Sequence, residues 1–133
     1  MRNYLFDSFA LLCWLQEEKG AEVVNRFVLD AQELKVKLLV NIIHLGEVYY
    51  RIAKVSNLQT AHDIVERIKL LPVKIVSASD SLVMRAAEMK AQYSIAYADA
   101  LALATALEYQ AAIITGDPEF PSVEDKVEIM WIT

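Results

Sequence analysis

Apolar and polar positions follow two habits along this chain: short apolar runs, and longer stretches in which apolar residues recur every three or four positions. Residues 3–6 form an apolar run too short for a helix and suited to a buried strand. Ser8 stands where a helix N-cap belongs, and residues 9–18 predict a helix that ends near Gly20. Over residues 21–33, Val24, Phe27, Val28 and Ala31 share one helical face. Residues 36–40 read as a second strand, and Asn41 caps a helix that runs through Lys54. A further helical pattern over residues 59–71 is stopped by Pro72. Val73–Val76 is a third strand, Ser79 caps a helix over 82–92, and residues 98–109 form an Ala/Leu helix apolar nearly all round, hence central. Ala111–Thr115 and residues 127–132 are the last strands, separated by a loop marked by Gly116, Pro118 and Pro121.

Short strands separated by helices predict an α/β fold with a small, mostly parallel central sheet of four to five strands flanked by helices. The 133 residues suit one domain, 1–133. Only three Gly and three Pro leave little room for long loops, and 56% of residues are hydrophobic. The lone Cys13 precludes an internal disulfide or a thiolate metal site, which fits a reducing cytoplasm. Residues 1–6 are too short for a secretory core, and no uncharged apolar run reaches the ~18 residues of a spanning helix. The expectation is a cytoplasmic protein without membrane contact.

Net charge is −5, from 18 acids and 13 bases. A protein that binds nucleic acid by neutralising phosphates is ordinarily basic, so charge alone opposes that class. The objection weakens if acids are gathered around divalent cations, which reverse the local sign.

Four acids have the wrong neighbours for a solvated surface. Asp7 closes the run Tyr4-Leu5-Phe6, and Glu47 lies among Ile43, Leu45, Val48 and Tyr49. Asp99 is the only charge between Lys90 and Glu108, and Asp117 follows Ile113-Ile114-Thr115-Gly116. An unpaired buried carboxylate costs several kcal/mol, so something must offset it. In a parallel sheet, ligands bind beyond the carboxyl ends of the strands. Asp7 and Asp117 each follow a strand, Glu47 lies in the helix after the second, and Asp99 begins the helix that feeds the fourth. All four can meet at one edge, where converged carboxylates must take up protons or a cation. An all-oxygen set selects Mg²⁺ or Mn²⁺, ions suited to phosphodiester hydrolysis. Taken singly, each acid also reads as a helix cap or a paired charge; taken together, the four favour a metal site.

These residues carry a resemblance. Asn3-Tyr4-Leu5-Phe6-Asp7-Ser8, Gly46-Glu47-Val48, Ala96-Tyr97-Ala98-Asp99-Ala100-Leu101-Ala102 and Thr115-Gly116-Asp117-Pro118-Glu119-Phe120 resemble, in order and spacing, the acidic motifs of PIN-domain nucleases, especially VapC-type toxins. The resemblance implies a PIN-like fold, a Mg²⁺ or Mn²⁺ site and endonucleolytic cleavage of RNA. It implies Asp7, Glu47, Asp99 and Asp117 as the acidic catalytic and metal-binding set, Ser8 and Thr115 as hydroxyls beside it, and Glu119 as an auxiliary acid. It further implies a homodimer and a cognate antitoxin.

Arg51 and Lys54, one and two turns after Glu47, either guide RNA phosphates or form a solvated helix edge. His44 reads as a satisfied, partly buried histidine, His62 as solvated, Cys13 and Trp14 as packing, and Trp131 as core or edge cover. A receiver-like signalling module lacks its acidic pair after the first strand and its lysine after the last. A phosphatase using Asp-x-Asp has Phe9 at the third position, and a protein-binding scaffold leaves Asp99 unexplained. A housekeeping RNA-processing nuclease would share every feature of the toxin reading.

Overall fold

Regular structure in the computed structural model, which describes residues 1–133, follows the hydrophobic pattern. The elements are β1 (Arg2–Phe6), α1 (Ser8–Leu15), α2 (Ala21–Gln32), β2 (Val36–Asn41), α3 (Ile42–Val55), α4 (Leu58–Lys69), β3 (Val73–Val76), α5 (Asp80–Gln92), α6 (Tyr97–Tyr109), β4 (Ala111–Thr115), a 3-10 turn (Phe120–Val123) and β5 (Ile129–Trp131). All five strands are parallel, in the order β3-β2-β1-β4-β5, so the expected four to five mostly parallel strands become five with no antiparallel member.

Alternation along the strands builds two cores. Tyr4, Phe6, Leu38, Val40 and Ile114 face one side, where α1 to α4 pack. Leu5, Leu39 and Ile113, which lie side by side in register, face the other side with α5 and α6. No helix of the protein is long and apolar enough to cross a membrane. The chain grows outward from β1 through β2 to β3, then returns to add β4 and β5 on the opposite side. β1 and β4 are therefore the neighbours at which strand order reverses, and a crevice opens beyond their carboxyl ends.

Three expectations change in detail. The N-cap of α1 is Asp7 rather than Ser8: its backbone is extended and its carboxylate accepts the Ala10 N–H at 2.9 Å. Asp and Ser cap equally well, and α1 starts one residue earlier than the sequence pattern places it. The helix also ends at Leu15, so Gly20 begins α2 instead of closing α1. β5 is shorter than residues 127–132 because it pairs only Ile113, Ile114 and Thr115 of β4.

Gly20 adopts φ +102°, and a Cβ there would lie 2.4 Å from the Ile132 carbonyl oxygen. Left-handed backbone disfavours a side chain, and a main-chain oxygen cannot rotate out of the way. Gly20→Ala is expected to lower stability by about 2 kcal/mol or more, read from urea unfolding midpoints. A change below about 0.5 kcal/mol would mean that the α1–α2 turn shifts freely away from β5.

Candidate metal centre

The centre is built at the crevice between β1 and β4. Asp7 is the first residue after β1, where the chain turns into α1. One of its carboxylate oxygens caps α1, and the other accepts the Thr115 hydroxyl at 2.5 Å. Thr115, the last residue of β4, in turn accepts the Asp117 N–H at 3.0 Å. The Asp117 amide can only donate, so the Thr115 hydroxyl accepts from it and is free to donate to the Asp7 carboxylate, and one hydroxyl ties together the acids that follow two adjacent strands. Asp117 accepts the Glu119 N–H at 2.9 Å, which folds the loop back on itself.

Asp99 arrives from the other side of the sheet, in the first turn of α6. The side chains of Asp7, Asp99 and Asp117 converge so that one carboxylate oxygen from each lies within 4.8 Å of the others. Asp7 is 2% and Asp99 7% exposed, while Asp117 is half-buried. Glu47 stands outside this triad but beside it: its carboxylate accepts the Ser8 hydroxyl at 2.8 Å. Three of the four expected acids thus meet directly, and the fourth is linked through the residue that follows Asp7.

Burial dominates the electrostatics. The Asp7 carboxyl is pushed up to about 7, chiefly because burial penalises its charge; hydrogen bonds from Thr115 and Ala10 offset part of this, and Asp117 and Glu47 add repulsion. Asp99 is pushed up to about 9, again first by burial, then by its hydrogen bond with Glu119 and by the charges of Asp117, Glu119 and Asp7. Glu119 moves down, first because Asp99 is its hydrogen-bond partner. Protonation is thus favoured on the buried Asp99, while the exposed Glu119 is the member of the pair that stays ionised. The N-terminal position of Asp99 on α6 favours an anion, but burial outweighs that dipole. Two acids that resist ionisation, next to a third, in an all-oxygen donor set, fit a hard divalent cation.

Arg51 lines a hollow of about 240 Å³ together with Ser8, Phe9, Gln16 and Asp117, immediately beside the acids. It is exposed and forms no ion pair. Lys54 lies further along α3 with its ammonium 5.9 Å over the Tyr50 ring and does not line this hollow. A larger open hollow of about 780 Å³ sits at the α1–α2 turn and contains none of the four acids. Convergence of carboxylates, not size, marks the centre.

Trp131 is 37% exposed in β5, an edge position. His44 departs from its expected partly buried, satisfied state. It is 1% exposed; its Nε2–H donates to the Ala98 carbonyl at 2.9 Å, and its Nδ1 has no partner. Burial holds its pKa below the usual histidine range, so the ring is neutral. Sequence reasoning also missed the contact of Asn41 with Thr105, although a lone threonine inside an Ala/Leu helix was a readable signal.

The family model for the PIN domain matches residues 4–126. No curated protein sequence matches the chain. Its fold is similar to that of a DNA-bound VapBC from Salmonella typhimurium, with a TM-score of 0.77, 14% identity and 100% of both chains covered. It is similar to VapBC2 from Rickettsia felis bound to a DNA fragment from their promoter, with a TM-score of 0.76, 13% identity, and 97% of this chain and 98% of that one covered. A toxin–antitoxin complex from Klebsiella pneumoniae gives a TM-score of 0.65 at 22% identity, with 90% and 92% covered. At these identities the likeness is one of fold.

Proposed function

The chain belongs to the PIN-domain family, and on that premise we propose that it is a metal-dependent endoribonuclease acting as the toxin of a toxin–antitoxin pair. The observation that carries this reading is the convergence of Asp7, Asp99 and Asp117, two of them buried and reluctant to ionise, at the point of the sheet where a parallel α/β fold binds ligands. When bound, Mg²⁺ or Mn²⁺ neutralises the phosphate and makes water a better nucleophile. Asp7, Asp99 and Asp117 hold the ion. Glu47, steadied by Ser8, orients the attacking water, while Thr115 keeps Asp7 turned towards the crevice. Glu119 takes the hydrogen bond of Asp99 while the cation is away.

RNA approaches along the hollow beside Asp117, where Arg51 meets a phosphate. Lys54, one turn further from the acids, adds positive charge to the same approach. The domain spans residues 1–133 and works in the cytoplasm. An antitoxin and a second copy of the chain are its protein partners, and the VapBC complexes of similar fold support the antitoxin.

The test is cleavage of a mixed single-stranded RNA by the purified chain in Mg²⁺, in Mn²⁺ and in EDTA, with calorimetry of ion binding. Cutting that appears with the ion and stops in EDTA is expected. Neither cutting nor ion binding would return the acids to caps and paired charges, and a binding module would then be the better account. Arg51→Ala should flatten the salt dependence of RNA binding: the slope of log K against log salt falls by about 0.7, one phosphate contact on a single strand. Anisotropy titrations with Ca²⁺ in place of Mg²⁺ measure this, and an unchanged slope would make Arg51 a solvated helix edge.

A further inference from the structure

Asp99 rides on a helix whose rotation about its own axis is poorly specified by burial. Residues 100–106 of α6 are all buried, and six of these seven are Ala or Leu. Apolar burial is non-directional, so this seven-residue stretch is nearly as well buried at one roll as at another, and only the helix ends, with Tyr97 and Glu108 exposed, mark a solvent side. A roll of one residue, about 100°, would nevertheless carry Asp99 out of the acidic centre.

Directional contacts hold α6 at its ends, where the Tyr97 hydroxyl donates to the Val83 carbonyl at 3.3 Å and the Asn3 side-chain N–H₂ donates to the Tyr109 carbonyl at 2.8 Å, and at two buried places between them. The Asn41 side-chain N–H₂ donates to the Thr105 hydroxyl at 3.1 Å, and that hydroxyl donates to the Leu101 carbonyl at 2.6 Å. The other end of the Asn41 amide accepts the Ile43 N–H at 3.0 Å, which caps α3 and locks the orientation of the amide. Three residues further along, the His44 Nε2–H reaches the Ala98 carbonyl, in the residue directly before Asp99. Ala98 and Thr105 are seven residues apart, two turns on one face of α6. Asn41, His44 and Thr105 are at most 1% exposed.

We propose that Asn41 and His44, gripping Thr105 and Ala98, fix the roll of α6 and so aim Asp99 at the metal. They are positioning residues and touch neither ion nor RNA. The histidine shows what the arrangement costs: donating from Nε2 leaves Nδ1 a buried bare acceptor whose desolvation no partner offsets. A leucine would avoid that cost and would abandon Ala98. One turn beyond His44, Glu47 holds Ser8, the neighbour of Asp7, so α3 grips the chain next to two of the three converging acids.

The inference rests on the metal reading above, and its test separates the two. His44→Leu, Thr105→Val and Thr105→Ser are compared with the wild-type chain by thermal unfolding in EDTA and by Mn²⁺ calorimetry on folded protein. His44→Leu should unfold at or above the wild-type midpoint, yet bind Mn²⁺ about tenfold or more weakly, as is usual when a supporting contact of a metal ligand is lost. Thr105→Val should lose affinity similarly, and Thr105→Ser, which keeps the hydroxyl, should restore it. Mn²⁺ affinity within about twofold of wild type in both apolar variants would overturn the proposal. So would loss of the fold in both, since the contacts would then serve stability alone. A wild-type chain that binds no Mn²⁺ sinks the metal reading and this role with it.

Discussion

Asp99→Asn is expected to lower metal-dependent RNA cleavage by on the order of a thousandfold or more, in a protein that folds at least as well as wild type. The carboxamide has the shape of the carboxylate but brings no negative charge to a cation held by three acids. It also has no charge to desolvate. In the metal-free protein, burial and the neighbouring charges of Asp117, Glu119 and Asp7 all oppose ionised Asp99, so removing its charge removes a cost of folding. Lower activity with equal or higher thermal stability is the mark of a residue kept for chemistry. The corresponding change at Asp7 is a poorer probe. An asparagine that accepts the Ala10 N–H would turn its N–H₂ to Thr115, whose hydroxyl would have to rotate its proton away from position 7 to accept it. Asp7→Asn should lose activity, but it mixes relief of a buried charge with loss of the acceptor for Thr115, so its stability change does not isolate the chemistry. Wild-type cleavage by Asp99→Asn, measured beside an EDTA control, would remove Asp99 from the site.

The metal-free protein should lose stability as pH rises from about 4 to about 8, and Mg²⁺ or Mn²⁺ should restore it, most strongly at the alkaline end. Asp7 takes its proton near 3.8 when unfolded and near 7 when folded. The folded state thus binds the proton more tightly, so the stability linked to this group is full below about 4 and is lost as pH climbs through 7. At about 1.4 kcal/mol per unit, the rise from 3.8 to about 7 corresponds to about 4 kcal/mol. Asp99, raised further, extends the loss to higher pH. A bound cation favours the ionised carboxylates and reverses the trend. Melting curves by circular dichroism, in EDTA and in Mn²⁺, read both slopes. An EDTA curve that stays flat across this range would mean that Asp7 and Asp99 ionise freely and need no cation.

Most elements of the fold were legible because their signals are local. Four-residue apolar runs, the Asn41 and Ser79 caps and the Pro72 stop each depend on a few adjacent residues, and the parallel sheet follows from strands separated by helices. The Asp7 cap was misplaced by one residue because Asp and Ser compete for that role and only the folded backbone, which sets the Ala10 N–H against the Asp7 carboxylate, decides between them. The four acids stood out because a carboxylate inside an apolar run must be explained. Glu47 shows the limit of that signal, since its spacing matches the others while its carboxylate meets Ser8 instead of joining the triad.

By itself, the sequence determined the α/β class, the strands and helices, and which acids were candidates, because periodicity, capping and the cost of burying charge are written into near neighbours. Tertiary structure alone decided which acids touch. Asp7 and Asp117 meet because β1 and β4 pair although more than 100 residues separate them, and one Thr115 hydroxyl closes the gap. Asp99 joins them only if α6 sits at one particular roll, and an Ala/Leu sequence is nearly silent about roll. The contacts from Asn41 and His44 that can set it are hydrogen bonds across 64 and 54 residues, and their directionality is realised only once the sheet has brought β2 and α6 together.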